Sequence, residues 1–246
     1  MVIPVLRCRF LWCLCFRGGH QYLESIRTLR KHTFIANDIA GNIIFAIHAL
    51  GAGIVAFGGA LQLIPQLRRY ATRFHRWNGR VFLTTVIALS LSGFYLVWVR
   101  GSSPSTLSAI GTSINGVLIL TFSYLMLARV RAGDIINHRR WAMRLYLAAN
   151  AQWFLRVGVF SYLMAGQMLG LETGLEDPFF IFWTFGFYLV PLAMLELYFF
   201  ACTRTQVTLK WLTAALFFVA TLLMVGGIIG LTLFTQLIIN GDPIVF

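Results

Sequence analysis

Apolar residues in this chain run in long unbroken stretches. They do not alternate as barrel strands do, and they do not mark one face of a soluble helix. Six stretches approach or exceed the roughly 20 residues that a membrane-spanning helix needs. They are 39–64, 81–99, 107–128, 141–170, 179–202 and 211–239. The first, second, third and sixth contain no Asp, Glu, Lys or Arg. The pattern predicts an all-α, polytopic transmembrane bundle of about six spans over residues 39–246, preceded by a basic segment at 1–38. Pro65, Gly101–Pro104, Gly133-Asp134 and Asp177-Pro178 fall at the breaks between stretches, where turn-forming residues belong. Pro191 lies inside the fifth and predicts a kink, because proline removes a backbone donor. Gly166-x-x-x-Gly170 and Gly226-x-x-x-Gly230 predict seams of close helix approach.

Composition fits this picture. Hydrophobic residues make up 59% of the chain and charged residues 11%, against about 25% charged in a soluble domain. Mean hydropathy is +0.77. A protein of this size in water needs far more charge on its surface. No nucleotide-binding loop, catalytic triad or metalloprotease motif occurs, which excludes the common soluble enzyme classes.

The net charge of +12 adds orientation. Arg68, Arg69, Arg73, Arg76 and Arg80 crowd the connection 65–80. Arg129, Arg131, Arg139 and Arg140 crowd 129–140, with Arg144 just beyond, and Arg204 and Lys210 mark 203–210. The opposite side offers Arg100 and an acidic connection with Glu172, Glu176 and Asp177. The positive-inside rule therefore puts 65–80, 129–140 and 203–210 in the cytoplasm. Basic residues placed between apolar runs suit anionic headgroups, and nucleic acid is not an expected partner. The N-terminal segment conflicts with the rule, since six spans put it outside while it carries Arg7, Arg9, Arg17, Arg27, Arg30 and Lys31. An additional membrane-associated N-terminal helix within 1–38 would remove the conflict. Cys8, Cys13, Cys15 and Cys202 form neither a disulfide framework nor a zinc or redox spacing.

Ionisable residues inside spans are costly and mark candidate sites. His48, Arg156 and Glu196 are the three. Helical rise puts His48 about 14 Å from the outer end of its span and Arg156 about 21 Å from Gly170, so the two can share a layer. Glu196 lies about 9 Å from the cytoplasmic end of the fifth span, within reach of Arg144 or Arg80. Arg144, Ala148, Gln152 and Arg156 follow at i+4 spacing on one face, which should turn inward. A structural Arg144–Glu196 ion pair and a cofactor or substrate cavity both remain open.

His75 and His138 form a second constellation. Each stands just before a span and is followed at once by Arg, in His75-Arg76-Trp77-Asn78-Gly79-Arg80 and His138-Arg139-Arg140-Trp141-Ala142-Met143-Arg144. Imidazole can ligate metal or haem. The neighbouring arginines repel a bare dication, so no metal-ion site is expected. Arg76, Arg80, Arg139 and Arg140 would suit haem propionates, a quinone headgroup or lipid phosphates. Plain lipid contact is the alternative for the same residues.

The chain resembles a bacterial family of predicted membrane proteins, the domain of unknown function 2306. His48, Gln62, Arg68 and His75-Arg76-x-x-Gly79-Arg80 resemble its first signature. Asn137-His138-Arg139-x-Trp141-x-Met143-Arg144 and Arg156 resemble its second, and Trp183 and Glu196 a third. The resemblance implies a helical bundle, a bacterial inner-membrane setting and no established activity. A relation to b-type cytochrome bundles is an analogy of fold. His75 and His138 share a layer that one haem could occupy, whereas His48 has no second mid-membrane histidine to pair with. The candidate cofactor residues are thus His48, His75, His138 and Arg156. Three functions follow: a haem- or quinone-associated redox component, a non-catalytic accessory or assembly subunit of a larger membrane complex, and, least favoured, a small transporter.

Overall fold

The computed structural model describes residues 37–103, 105–170 and 177–240. The N-terminal membrane-associated helix expected within 1–38 lies almost wholly outside the described residues, as do Cys8, Cys13, Cys15, Glu172 and Glu176. Every regular element among the described residues is a helix. In chain order these are α1 (Ile39–Leu63), α2 (Pro65–Tyr70), α3 (Thr72–Trp98), α4 (Thr106–Arg131), α5 (Ile135–Ala149), α6 (Ala151–Leu169), α7 (Pro178–Thr203) and α8 (Val207–Asn240). Five of them, α1, α3, α4, α7 and α8, are long and apolar enough to cross a membrane. The chain is an all-α, multi-pass membrane protein.

The stretch 141–170 is not one helix. It is shared between α5 and α6, which break at Asn150 (φ −95°, ψ 8°). The cause is local. Asn150 Nδ2 donates to its own helix at the Tyr146 carbonyl, 2.8 Å away. Asparagine competes in this way with regular helix bonding. A carbonyl opened inside lipid must find another donor, and α4 supplies one: Asn115 Nδ2 reaches the Ala148 carbonyl at 3.2 Å.

The break divides the packing. α1, α3, α4 and α5 share one core of Val55, Phe82, Val86, Ile119, Met126, Leu145 and Ala148. α6 packs mainly on α8 and α7, beside a smaller core of Ala151, Phe187 and Tyr188. Two glycines let α6 approach its neighbours. A Cβ on Gly158 would stand 2.3 Å from the Trp183 ring, and one on Gly227 would stand 2.5 Å from the Val157 carbonyl oxygen. Gly227 is the contact glycine of α8, whereas nothing lies within 4 Å of a Cβ at Gly226. α7 runs through Pro191 as a single helix. The outer surface is apolar, with Phe57 79% and Trp211 72% exposed, as lipid requires.

At the face opposite the basic connections, α1 and α3 are locked together. Arg100, with only 2% of its side chain exposed, lies 3.3 Å from the Asp38 carboxylate. Its Nη1 donates to the Gly41 carbonyl at 3.0 Å and its Nη2 to Asn42 Oδ1. Asp38 in turn caps α1 by accepting from Gly41 N at 2.9 Å. From the sequence Arg100 counts only as a stray positive charge. In the fold it is bonded to the first turn of α1. Arg100→Met should lower stability by about 2 kcal/mol, because charged hydrogen bonds at a buried site are lost together. Thermal unfolding in detergent measures this. Arg100→Lys should fall between, since lysine cannot fork to several acceptors.

Candidate functional site

The basic face is built from the first turns of α3 and α5. α3 starts at Thr72, well before the apolar stretch at 81, so His75 is helical. α5 starts after Asp134, whose Oδ1 accepts from Asn137 N at 3.1 Å and whose Oδ2 accepts from Asn137 Nδ2 at 2.7 Å. Those two bonds, with Arg129 at 3.7 Å, hold the Asp134 carboxyl below its ordinary pKa. This acidic cap stays charged at the positive end of the helix dipole and fixes His138 in the first turn.

His138 Nδ1 lies 3.1 Å from the Met126 carbonyl. A carbonyl only accepts, so Nδ1 carries a proton, and the tautomer this selects has its lone pair on Nε2. His75 is half-buried. Its carbonyl accepts from Gln62 Nε2 at 2.9 Å, while its Nδ1 is buried without a hydrogen-bond partner among the described residues. Arg68 and His138 are both within electrostatic reach of His75. Arg76 Nε contacts the Thr72 carbonyl at 3.4 Å. Among the described residues, Arg76, Arg80 and Arg139 have no carboxylate partner. Arg140 sits over the Phe199 ring at 5.5 Å.

One turn further into the membrane, Arg144 and Glu196 are joined. Arg144 Nε donates to Oε1 at 2.6 Å and its Nη2 to Oε2 at 2.9 Å. This two-pronged contact ties α5 to α7. The arginine is 17% exposed and the carboxylate 51%. Trp141 and Phe199 flank the guanidinium, at 4.4 Å and 5.3 Å from its carbon.

The other two candidate residues, His48 and Arg156, stand apart. His48 Nδ1 is 2.8 Å from Ser92 Oγ, and Ser92 donates to the Leu89 carbonyl at 3.1 Å. With its proton so placed, the serine oxygen accepts from the histidine. Arg156 lies in α6, on the far side of the Asn150 break. Its Nη1 donates to the Gln152 carbonyl at 3.0 Å, and its side chain is exposed. α1 packs on α3, and α6 on α7 and α8, so His48 and Arg156 belong to different halves of the bundle. The i+4 line does not turn inward as one face: Ala148 is buried while Arg156 is exposed. The break resets the helical phase between them. Sequence reading also passed over Asn78, which is buried and donates to the Gly58 carbonyl at 2.8 Å. Nothing in its neighbourhood, a basic turn, marks it as an interior residue.

Apolar spanning helices around hydrophobic cores, with a cationic rim, define the class: an integral, multi-pass membrane protein. Residues 45–175 match the family described as predicted membrane protein, DUF2306. The match takes in more than half of the chain, and the chain belongs to that family. No curated protein and no solved structure matches it. The matched segment holds His48, His75, His138, Arg144 and Arg156 and ends before Glu196, so the Arg144–Glu196 contact reaches beyond it.

The two ends of that contact are unequal. Glu196 is half exposed, and exposed ion pairs contribute little, about 1 kcal/mol or less. Arg144 also loses its aromatic neighbours when removed, a further ~1 kcal/mol. Arg144→Ala should therefore destabilise the protein more than Glu196→Gln. Paired melting curves in detergent test the order, and equal losses would contradict it.

Proposed function

We propose that the chain is a redox component of the membrane in which His75 and His138 hold one b-type haem at the basic face. The observation that carries this reading is the pairing of two imidazoles from α3 and α5 within electrostatic reach. Each keeps a ring nitrogen without a protein partner among the described residues. A histidine whose Nδ1–H is bound to a backbone carbonyl is a common form of metal-ligating imidazole, because the carbonyl fixes the tautomer and raises the basicity of Nε2. The buried, unpartnered Nδ1 of His75 is costly unless a bound group meets it. Porphyrin brings four nitrogens of its own, so two protein ligands suffice. Arg68, Arg76 and Arg139 would neutralise the propionates. The haem would supply reversible one-electron transfer. The chain's part is to hold it, and to set its potential through burial and the surrounding positive charge.

The donor set also suits a quinone. A protonated Nδ1 on His75 can donate to a quinone carbonyl, and Nε2 of His138 can accept from the hydroxyl of a quinol. The interfacial position fits an amphiphile with a membrane-bound tail. In either case the arginine-rich connections 65–80, 129–140 and 203–210 face the cytoplasm and the host membrane is a bacterial inner membrane. The supports are the positive-inside rule and the family resemblance. The accessory-subunit reading has the same arginines holding lipid phosphates and no cofactor.

Absorption spectra of the purified protein decide among these. Haem predicts a Soret band that His75→Ala and His138→Ala each abolish and His48→Ala leaves intact. Quinone predicts a colourless protein from which organic extraction recovers quinone, less of it from the His75→Ala variant. A protein with neither is the accessory subunit, and the redox reading falls.

A further inference from the structure

Arg156 stands next to Val157, whose carbonyl packs on Gly227 inside the spanning helix α8, and its counter-charge is not found among the described residues. Each described carboxylate is engaged elsewhere: Asp38 with Arg100, Asp134 with Arg129, Glu196 with Arg144, and Asp177 with the Tyr162 hydroxyl at 2.9 Å. The bond Arg156 does make is to its own helix, at the Gln152 carbonyl. That turns the guanidinium away from the end of α6 at Leu169, which lies about 20 Å off by helical rise. An unpaired arginine at the centre of a helix in lipid costs about 3 kcal/mol on insertion scales. Trp153, also exposed at 43%, belongs to the same helix.

We infer that Arg156 is the docking point for a transmembrane helix of another protein that carries a carboxylate at the same depth. A second copy of this chain is a poor occupant. A symmetric contact through α6 would bring Arg156 against its own equivalent, and Glu196 is already bound to Arg144. A soluble anion is a poor occupant too, because the residue beside Arg156 packs on the interior of the spanning helix α8. A carboxylate on a neighbouring helix matches both the charge and the depth, and a two-pronged arginine–carboxylate contact is among the strongest in lipid. This surface is independent of the histidine pair, and its test does not read absorption.

The test uses the full chain in phosphatidylcholine vesicles at pH 8, labelled for energy transfer to a synthetic leucine-rich helix with one central Asp. The same helix with Asn is the control. The Asp helix should associate at least tenfold more tightly than the Asn helix. Arg156→Gln should erase the preference, and Arg156→Lys should keep most of it. In Arg156→Asp the preference should pass to a helix with a central Lys. Equal association of the Asp and Asn helices overturns the inference, and so does an Asp preference that survives Arg156→Gln. A preference that emerges only in Glu172→Gln/Glu176→Gln overturns it in favour of an internal partner. One abolished by adding phosphatidylglycerol overturns it in favour of lipid phosphate.

Discussion

A main-chain carbonyl that loses its partner inside a bilayer has no water to turn to, and the arrangement of this bundle follows from that constraint. The helices are joined less by side chains meeting side chains than by side chains reaching backbones. Asn78 donates to Gly58, Gln62 to His75, Asn115 to Ala148, Trp183 to Leu155 and Ser161 to Leu223. Each bond crosses between helices and ends on a carbonyl oxygen. In lipid, apolar packing between helices gains little over apolar contact with tails, so such bonds and close contacts carry much of the specificity. The Asn150 break is tolerated because Asn115 stands opposite it.

That break gives the molecule two parts with different chemistry. α1, α3, α4 and α5 close around an aliphatic core, and their basic ends carry His75 and His138. The Met126 carbonyl that fixes the His138 ring belongs to a residue of that same core. α6, α7 and α8 form the second part, where Arg156 lies. Arg144 and Glu196 tie the parts together at the basic face, through α5 and α7.

Much of the fold was legible in the sequence, because unbroken apolar runs admit few structures in a bilayer. The ends of α1, α4 and α7 lie close to where Pro65, Gly133-Asp134 and Asp177-Pro178 place them. Counting residues from helix ends put Glu196 within reach of Arg144 or Arg80, and the fold pairs it with Arg144. What could not be read depends on partners remote in sequence. Asn150 is a weak helix breaker in isolation, and only Asn115, across the bundle, makes its break acceptable. Arg156 read as an inward-facing residue because the i+4 rule assumes one continuous helix. Arg100 read as a loop charge because its acceptors, Gly41 and Asn42, lie at the far end of another helix.

The Arg100 lock bears on how the protein is made. Asp38, Gly41 and Asn42 are synthesised ahead of α3, and Arg100 follows directly on its end. Their contact can close as soon as α3 has traversed the bilayer, before α4 emerges. The α1–α3 hairpin thus carries its own latch, and the later helices are threaded against a pair whose register is already set.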